Sequence, residues 1–355
     1  VTGDTQQASV PPPQRNKKLM KTHNLPKKHV LNLRVGELVE VRSPREILST
    51  LDQDGRLDAL PFMPEMVPFC GRRFRVFKRV DKTCDTIDKT GMRRMENTVI
   101  LEGVRCDGQS HGGCQAACMI FWKEAWLRRV PEPSRNGHGL IRVDRQPSLE
   151  PAVEADRAEL EKTLEKNTYV ESELYEDRRY ICQITELKKA TTTLAAWDLR
   201  QYWRDIRSRN VALWRGIHGL LIMLFNWAQA FRGGCPYPYM PESNRKTTPR
   251  ETLNLVPGEL VRVKAPEDIF PTLDHNHKNR GLWFDREMLQ YCGGTYRVRG
   301  RVQQLIDERT GKMIKLSNDC IILDDVICRG ECHQFCPRSE FIYWREIWLE
   351  RVPTA

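Results

Sequence analysis

The chain has 355 residues, 40% hydrophobic and 29% charged, with a formal net charge of +10 at pH 7. That length gives room for two or three domains, each burying a core of its own. About half the charge sits in the first thirty residues (Arg15, Lys17, Lys18, Lys21, Lys27 and Lys28 against Asp4), leaving a body near +5, too little to read as a nucleic-acid footprint.

Residues 1–30 are polar and Pro-rich, with no apolar periodicity, and read as a disordered basic arm. No signal-peptide core precedes the cysteines, so the expected compartment is reducing and cytoplasmic. Twelve cysteines there point to metal ligands or reactive thiols rather than disulfides.

From Leu31 to Pro131 and from Leu253 to Pro353 the chain aligns with itself without a gap at an offset of 222, with 39 of 101 paired positions identical. This is the mark of a tandem duplication of one module. Within the first copy, Glu37–Arg42 alternates as a half-buried strand does, and Ser43-Pro-Arg-Glu46 carries the cap, proline and reaching glutamate that open a short helix. Further strands are predicted over Arg73–Val80 and Thr98–Arg105, with a turn near Lys89–Gly91. The fold class expected is α+β: two small β-rich modules, SH3-like barrels or zinc-ribbon-like units, flanking a helical middle domain.

Residues 132–150 read as a linker, 151–235 as the middle domain and 236–252 as a second linker. In the middle, Glu154–Lys166 is predicted helical, Arg179–Thr185 a strand and Ala195–Phe231 helical. The apolar run from Ile217 to Phe231 is too short to span a bilayer, so no transmembrane segment is expected. With the arginines before it, the 200–231 stretch is open to peripheral membrane contact, the alternative to a place in the core.

Four ligand-type residues recur at shared positions: Cys70, Cys106, His111 and Cys114, then Cys292, Cys328, His333 and Cys336. Three thiolates and an imidazole are a common tetrahedral zinc set, so two zinc sites are expected, one per module. Glycines beside these cysteines (Gly71, Gly108, Gly293, Gly330) would let amides point at sulfur. Cys84, Cys118, Cys320 and Cys332 do not recur and are alternative ligands, and Cys328-x3-Cys332-x3-Cys336 also admits an iron–sulfur reading. Candidates for acid–base work shared by both copies are Asp85 with Asp307 and Glu124 with Glu346, with Arg75 and Arg297 as anion contacts. Cys114 beside His111 could form a nucleophilic pair. The duller reading puts the charges between the tryptophans on a solvent face.

The stretches Gly55-Arg-Leu-Asp58, Leu60-Pro-Phe-Met-Pro-Glu-Met66, Phe69-Cys-Gly71, Lys82-Thr-Cys-Asp85 and His111-Gly-Gly-Cys-Gln-Ala-Ala-Cys118 resemble an uncharacterised bacterial protein family. The resemblance covers the first copy and extends into Trp197-Asp-Leu-Arg-Gln-Tyr-Trp203. It carries no established activity, cofactor or fold. The second copy lacks the Lys-Thr-Cys-Asp and Pro-Phe-Met-Pro stretches, which places any activity in the first. The function expected from these residues is a metal-stabilised binding or accessory scaffold with a protein partner. The alternatives are a metal- or thiol-dependent enzyme centred on the first copy, and a nucleic-acid binder, supported mainly by the basic arm and, if they are exposed, by Trp122 and Trp126.

Overall fold

The computed structural model describes residues 30–131, 151–171 and 178–352, with side chains in the second stretch from 154 onward. The basic arm and the first linker lie outside the described residues, Val30 excepted. The chain is mixed α+β, mostly sheet, and built around two half-barrel sheets with few helices.

In the first sheet the strands run Met119–Lys123, Thr98–Arg105, Arg73–Arg79, Leu38–Val41 and Leu127–Arg129. In the second they run Met313–Leu323, Thr295–Ile306, Leu260–Val263 and Leu349–Arg351. Registers coincide at the offset of 222: Leu38 faces Arg75 as Leu260 faces Arg297, and Val39 faces Arg129 as Val261 faces Arg351. The alternation in these segments has its usual cause, one side of each strand turning to a core. Val39, Val41, Val76, Val99 and Leu127 pack there in the first half. The predicted helix forms over Pro44–Leu48 with its capping box complete.

Tryptophans anchor both cores. Trp126 meets Phe62 edge-on at 5.1 Å, and Trp348 meets Phe284 at 5.3 Å. Trp122, Trp126, Trp344 and Trp348 are all fully buried, so Trp122 and Trp126 offer no surface for stacking bases and do not support the nucleic-acid reading. Between them, Glu124 is also fully buried. Its carboxylate accepts the backbone N–H groups of Leu31, Asn32 and Leu33 and pairs with Arg79 at 2.5 Å, tying the irregular segment before the first strand to the turn Glu124–Trp126. Glu346 accepts from Leu253 and Leu255 and pairs with Arg301 in the same way. The solvent-face reading of these glutamates is therefore wrong, and the same bonds account for them without catalysis.

The middle region does not build a core of its own among the described residues. Leu160 and Leu164 of helix Pro151–Glu165, with Ile184 and Leu187, join the core of the first half. Strand Thr192–Leu194 pairs with Met92–Arg94, which pairs in turn with Lys82–Cys84. The long predicted helix breaks in two, Arg200–Arg207 and Leu213–Arg232, at Arg209, whose φ of 65° lies in the left-handed region. Residues 236–252 hold neither helix nor strand, and Met240 among them joins the core of the second half.

The two halves meet along a seam with a two-fold pattern. The Cys84 amide donates to Cys336 Sγ at 3.2 Å, and the Ile306 amide donates to Cys114 Sγ at 3.4 Å; each pair is the other shifted by 222. On the axis, Thr86 bonds Glu308 and Arg309 bonds the Ile87 carbonyl, equivalent positions meeting each other. Such reciprocity is what an isologous dimer interface has.

Candidate metal centre in the cleft between the halves

A cavity of about 930 Å³ opens at this seam, and eight of the twelve cysteines line it, together with His111 and His333. The four that do not are Cys70, Cys235, Cys292 and Cys320. Neither Cys70 nor Cys292 belongs to a group of three ligand-type side chains with donor atoms within 4.8 Å of one another among the described residues. Each closes a short helical turn, Pro64–Phe69 or Arg286–Tyr291, and precedes a glycine at positive φ. Burial pushes both thiols up to about 12. They recur because the turn recurs.

Among the described residues, the only group of three or more ligand-type side chains whose donor atoms lie within 4.8 Å of one another is Glu65, Cys106 and His111. Glu65 comes from the turn after Phe62, and Cys106 from the end of strand Thr98–Arg105. His111 comes from the loop behind it. That loop folds back because Gly108, at φ 70°, lets the chain reverse where a Cβ would overlap the Cys114 carbonyl. Gly108→Ala is expected to cost roughly 1–3 kcal/mol, read by urea unfolding. Gly71→Ala, with nothing within 4 Å of the added carbon, should cost about 1 kcal/mol.

His111 is fully engaged. Its Nε2 lies 3.0 Å from the Ile181 carbonyl, which only accepts, so the ring donates there; Nδ1 lies 2.6 Å from Glu65 Oε1. Glu65 Oε1 also accepts from the Ser110 amide at 3.1 Å. Its second oxygen, Oε2, is buried and has no hydrogen-bond partner. A buried carboxylate oxygen without a partner costs free energy unless something meets it. Beside it, burial and then the charge of Glu65 push the Cys106 thiol well up, a direction that a cation held there would reverse. Donors on one tetrahedral zinc, at bond lengths of about 2.0–2.1 Å, stand roughly 3.3 Å apart. The 2.6 Å contact is thus a hydrogen bond, and an ion ligated by both side chains would need them to part by several tenths of an ångström.

The remaining sequence-predicted ligands go elsewhere. Cys114 Sγ takes the Ile306 amide. In the second half Glu287 stands where Glu65 does and accepts from the Cys332 amide, repeating the Ser110 bond. His333, however, turns to Asp285 at 3.2 Å, a residue that replaces Met63 of the first half. Cys336 lies against Cys84 across the seam rather than with Cys292, Cys328 and His333. Cys118 is half-buried near Glu340, Cys320 lies under Arg345 at 3.5 Å, and Cys332 is exposed. The second predicted four-ligand set therefore does not gather within 4.8 Å among the described residues, while Cys328, Cys332 and Cys336 of the iron–sulfur reading share the cavity wall. Of the acid–base candidates, Asp85 and Asp307 line the same cavity, but each is engaged in its own turn. Asp85 caps the turn at Ile87, Asp88 and Thr90, Asp307 caps Thr310, and Arg75 and Arg297 hold the carbonyls of Gly36 and Gly258.

The hydrogen bond to Asp285 raises His333 above its ordinary 6.5. A raised folded value means the pair's stabilisation is complete below about 6.5 and fades as pH rises through the folded value. His333→Asn should thus lower the melting temperature more at pH 6 than at pH 9. The difference should stay below about 1 kcal/mol because the ring is partly exposed.

Comparison with family models, curated proteins and solved structures returns no match for this chain.

Proposed function

We propose that this chain is a metal-binding protein that holds one zinc-like ion between Glu65, Cys106 and His111 and presents it to a small ligand in the cleft. The observation that carries this reading is the buried, partnerless Glu65 Oε2 beside a thiol and an imidazole on the cavity wall. Carboxylate, thiol and imidazole together suit zinc, and three protein ligands leave a fourth position for water or ligand. The coinciding registers and the reciprocal seam support a tandem duplication folded as an internal dimer. In this reading only the first half keeps the ion, since Asp285 draws His333 off in the second. The scaffold role is then the second half's: it closes the cleft.

Metal-dependent catalysis in the first half is a second reading, favoured by that open position beside a cavity large enough for a substrate.

Titration of the apo protein with Co²⁺ tests the reading. One cobalt per chain with a thiolate-to-cobalt absorption band is expected, lost in Cys106→Ser and kept in Cys328→Ser. No band, or a band lost equally in both variants, overturns it.

A further inference from the structure

Helix Leu213–Arg232 is long for its surroundings and its outer side is bare. One side is spoken for: Gly216 is buried, a Cβ at Gly219 would overlap the Phe335 ring, and Met223 Sδ takes the Tyr202 hydroxyl at 3.6 Å. The other side carries Trp214, Ile217, Leu221, Leu224 and Phe225, all about half exposed or more, and it ends on Phe231 at 86%. Trp203 of the preceding helix and Trp197 before it add to the same exposed set. Single exposed apolar side chains are ordinary, but a run of them along five turns is not.

The stretch of chain that carries this face has charge of one sign. Residues 206–241 contain no Asp or Glu but include Arg207, Arg209, Arg215 and Arg232. Arg204, Arg207, Arg209 and Arg232 pair with no carboxylate among the described residues; Arg215 reaches only Glu331, at 3.8 Å. An apolar helix face rimmed by arginines and tryptophans suits the boundary between lipid headgroups and acyl chains, where indoles settle and guanidinium groups meet phosphates. Crossing the bilayer is a different matter, and no helix among the described residues is long and apolar enough for it.

We infer that helix Leu213–Arg232, with Trp203 and the arginines before it, is a docking face for an anionic membrane surface. A second copy of the chain is the less fitting occupant. An isologous contact would lay this arginine-rimmed face on itself and set like charges together.

The test is co-sedimentation of the full chain with vesicles of phosphatidylcholine alone or mixed with phosphatidylserine, at low and high salt, alongside light scattering without lipid. Binding to the mixed vesicles is expected to exceed binding to the neutral ones by about tenfold or more, and to fall as salt screens the arginines. The double variant Leu221→Glu/Phe225→Glu changes only the outer side and should abolish binding while its circular dichroism and melting stay as wild type. Arg204→Gln/Arg207→Gln should weaken binding to mixed vesicles and leave the neutral ones unchanged. Three results would each overturn the inference. One is failure to bind either vesicle. Another is equal binding to both. The last is dimerisation without lipid that Leu221→Glu/Phe225→Glu removes. Saturable binding of an acidic polypeptide such as poly-glutamate, with no vesicle binding, would assign the face to an acidic protein and overturn it as well.

Discussion

Replacing Glu124 by alanine is expected to cost about 4 kcal/mol of unfolding free energy, the largest effect of any single substitution considered. The loss comes from two sources. Three backbone amides, those of Leu31, Asn32 and Leu33, lose their acceptor in a dry site, and Arg79 keeps only Asp81 as a charged partner. A domain of ordinary stability, about 5–15 kcal/mol, would be left close to its unfolding threshold. Glu346→Ala is the internal control. Glu346 serves two amides, and its partner Arg301 is about a quarter exposed, so solvent softens the loss to about 2 kcal/mol. Urea unfolding of both variants measures the difference; equal costs would mean that burial of the ion pair does not set the size of the effect.

The second large effect concerns Glu65→Gln. The amide keeps the shape of the side chain and serves one of the two partners, its oxygen accepting from Ser110 or its N–H donating to Nδ1 of an imidazole that already donates through Nε2, so the apo fold should lose about 1–2 kcal/mol. As a metal ligand it is far poorer than a carboxylate, and affinity for zinc should fall at least about 100-fold. If Glu65 served only to orient His111, the same substitution would lower stability and leave metal affinity nearly unchanged. Competition with a chromophoric chelator, paired with melting of the apo protein, separates the two outcomes.

Much of the fold was legible in the sequence because it rests on local rules. The alternation of Arg73–Arg79 and Thr98–Arg105 and the box at Ser43 and Glu46 depend on neighbours a few residues apart. The glutamates were harder to read. Glu124 between two tryptophans has the pattern of an exposed residue on an amphipathic element, and only the return of Leu31–Leu33 to that point of the structure shows why a charge is buried there. Glu65 sits in the apolar stretch Pro61–Phe69 and is identical to Glu287 in the second copy, a signal that was present but sits among proline and methionine rather than among cysteines. The cysteine sets gather only in part, through Cys106 and His111, and for a topological reason. Matching positions between copies pairs ligands within a module, whereas the fold pairs Cys84 with Cys336 and Cys114 with Ile306 across the seam. The middle region misled similarly, since a helix that finishes another domain's core has the same periodicity as one that builds its own.

The most direct measurement is the metal content of the purified full chain, wild type beside Cys106→Ser and Cys328→Ser, after reconstitution with zinc and removal of loosely held ions. One zinc per chain in the wild type and in Cys328→Ser, with none in Cys106→Ser, is the predicted result. Two zinc ions per chain, or a content that Cys106→Ser leaves unchanged, would contradict a single centre at Glu65, Cys106 and His111.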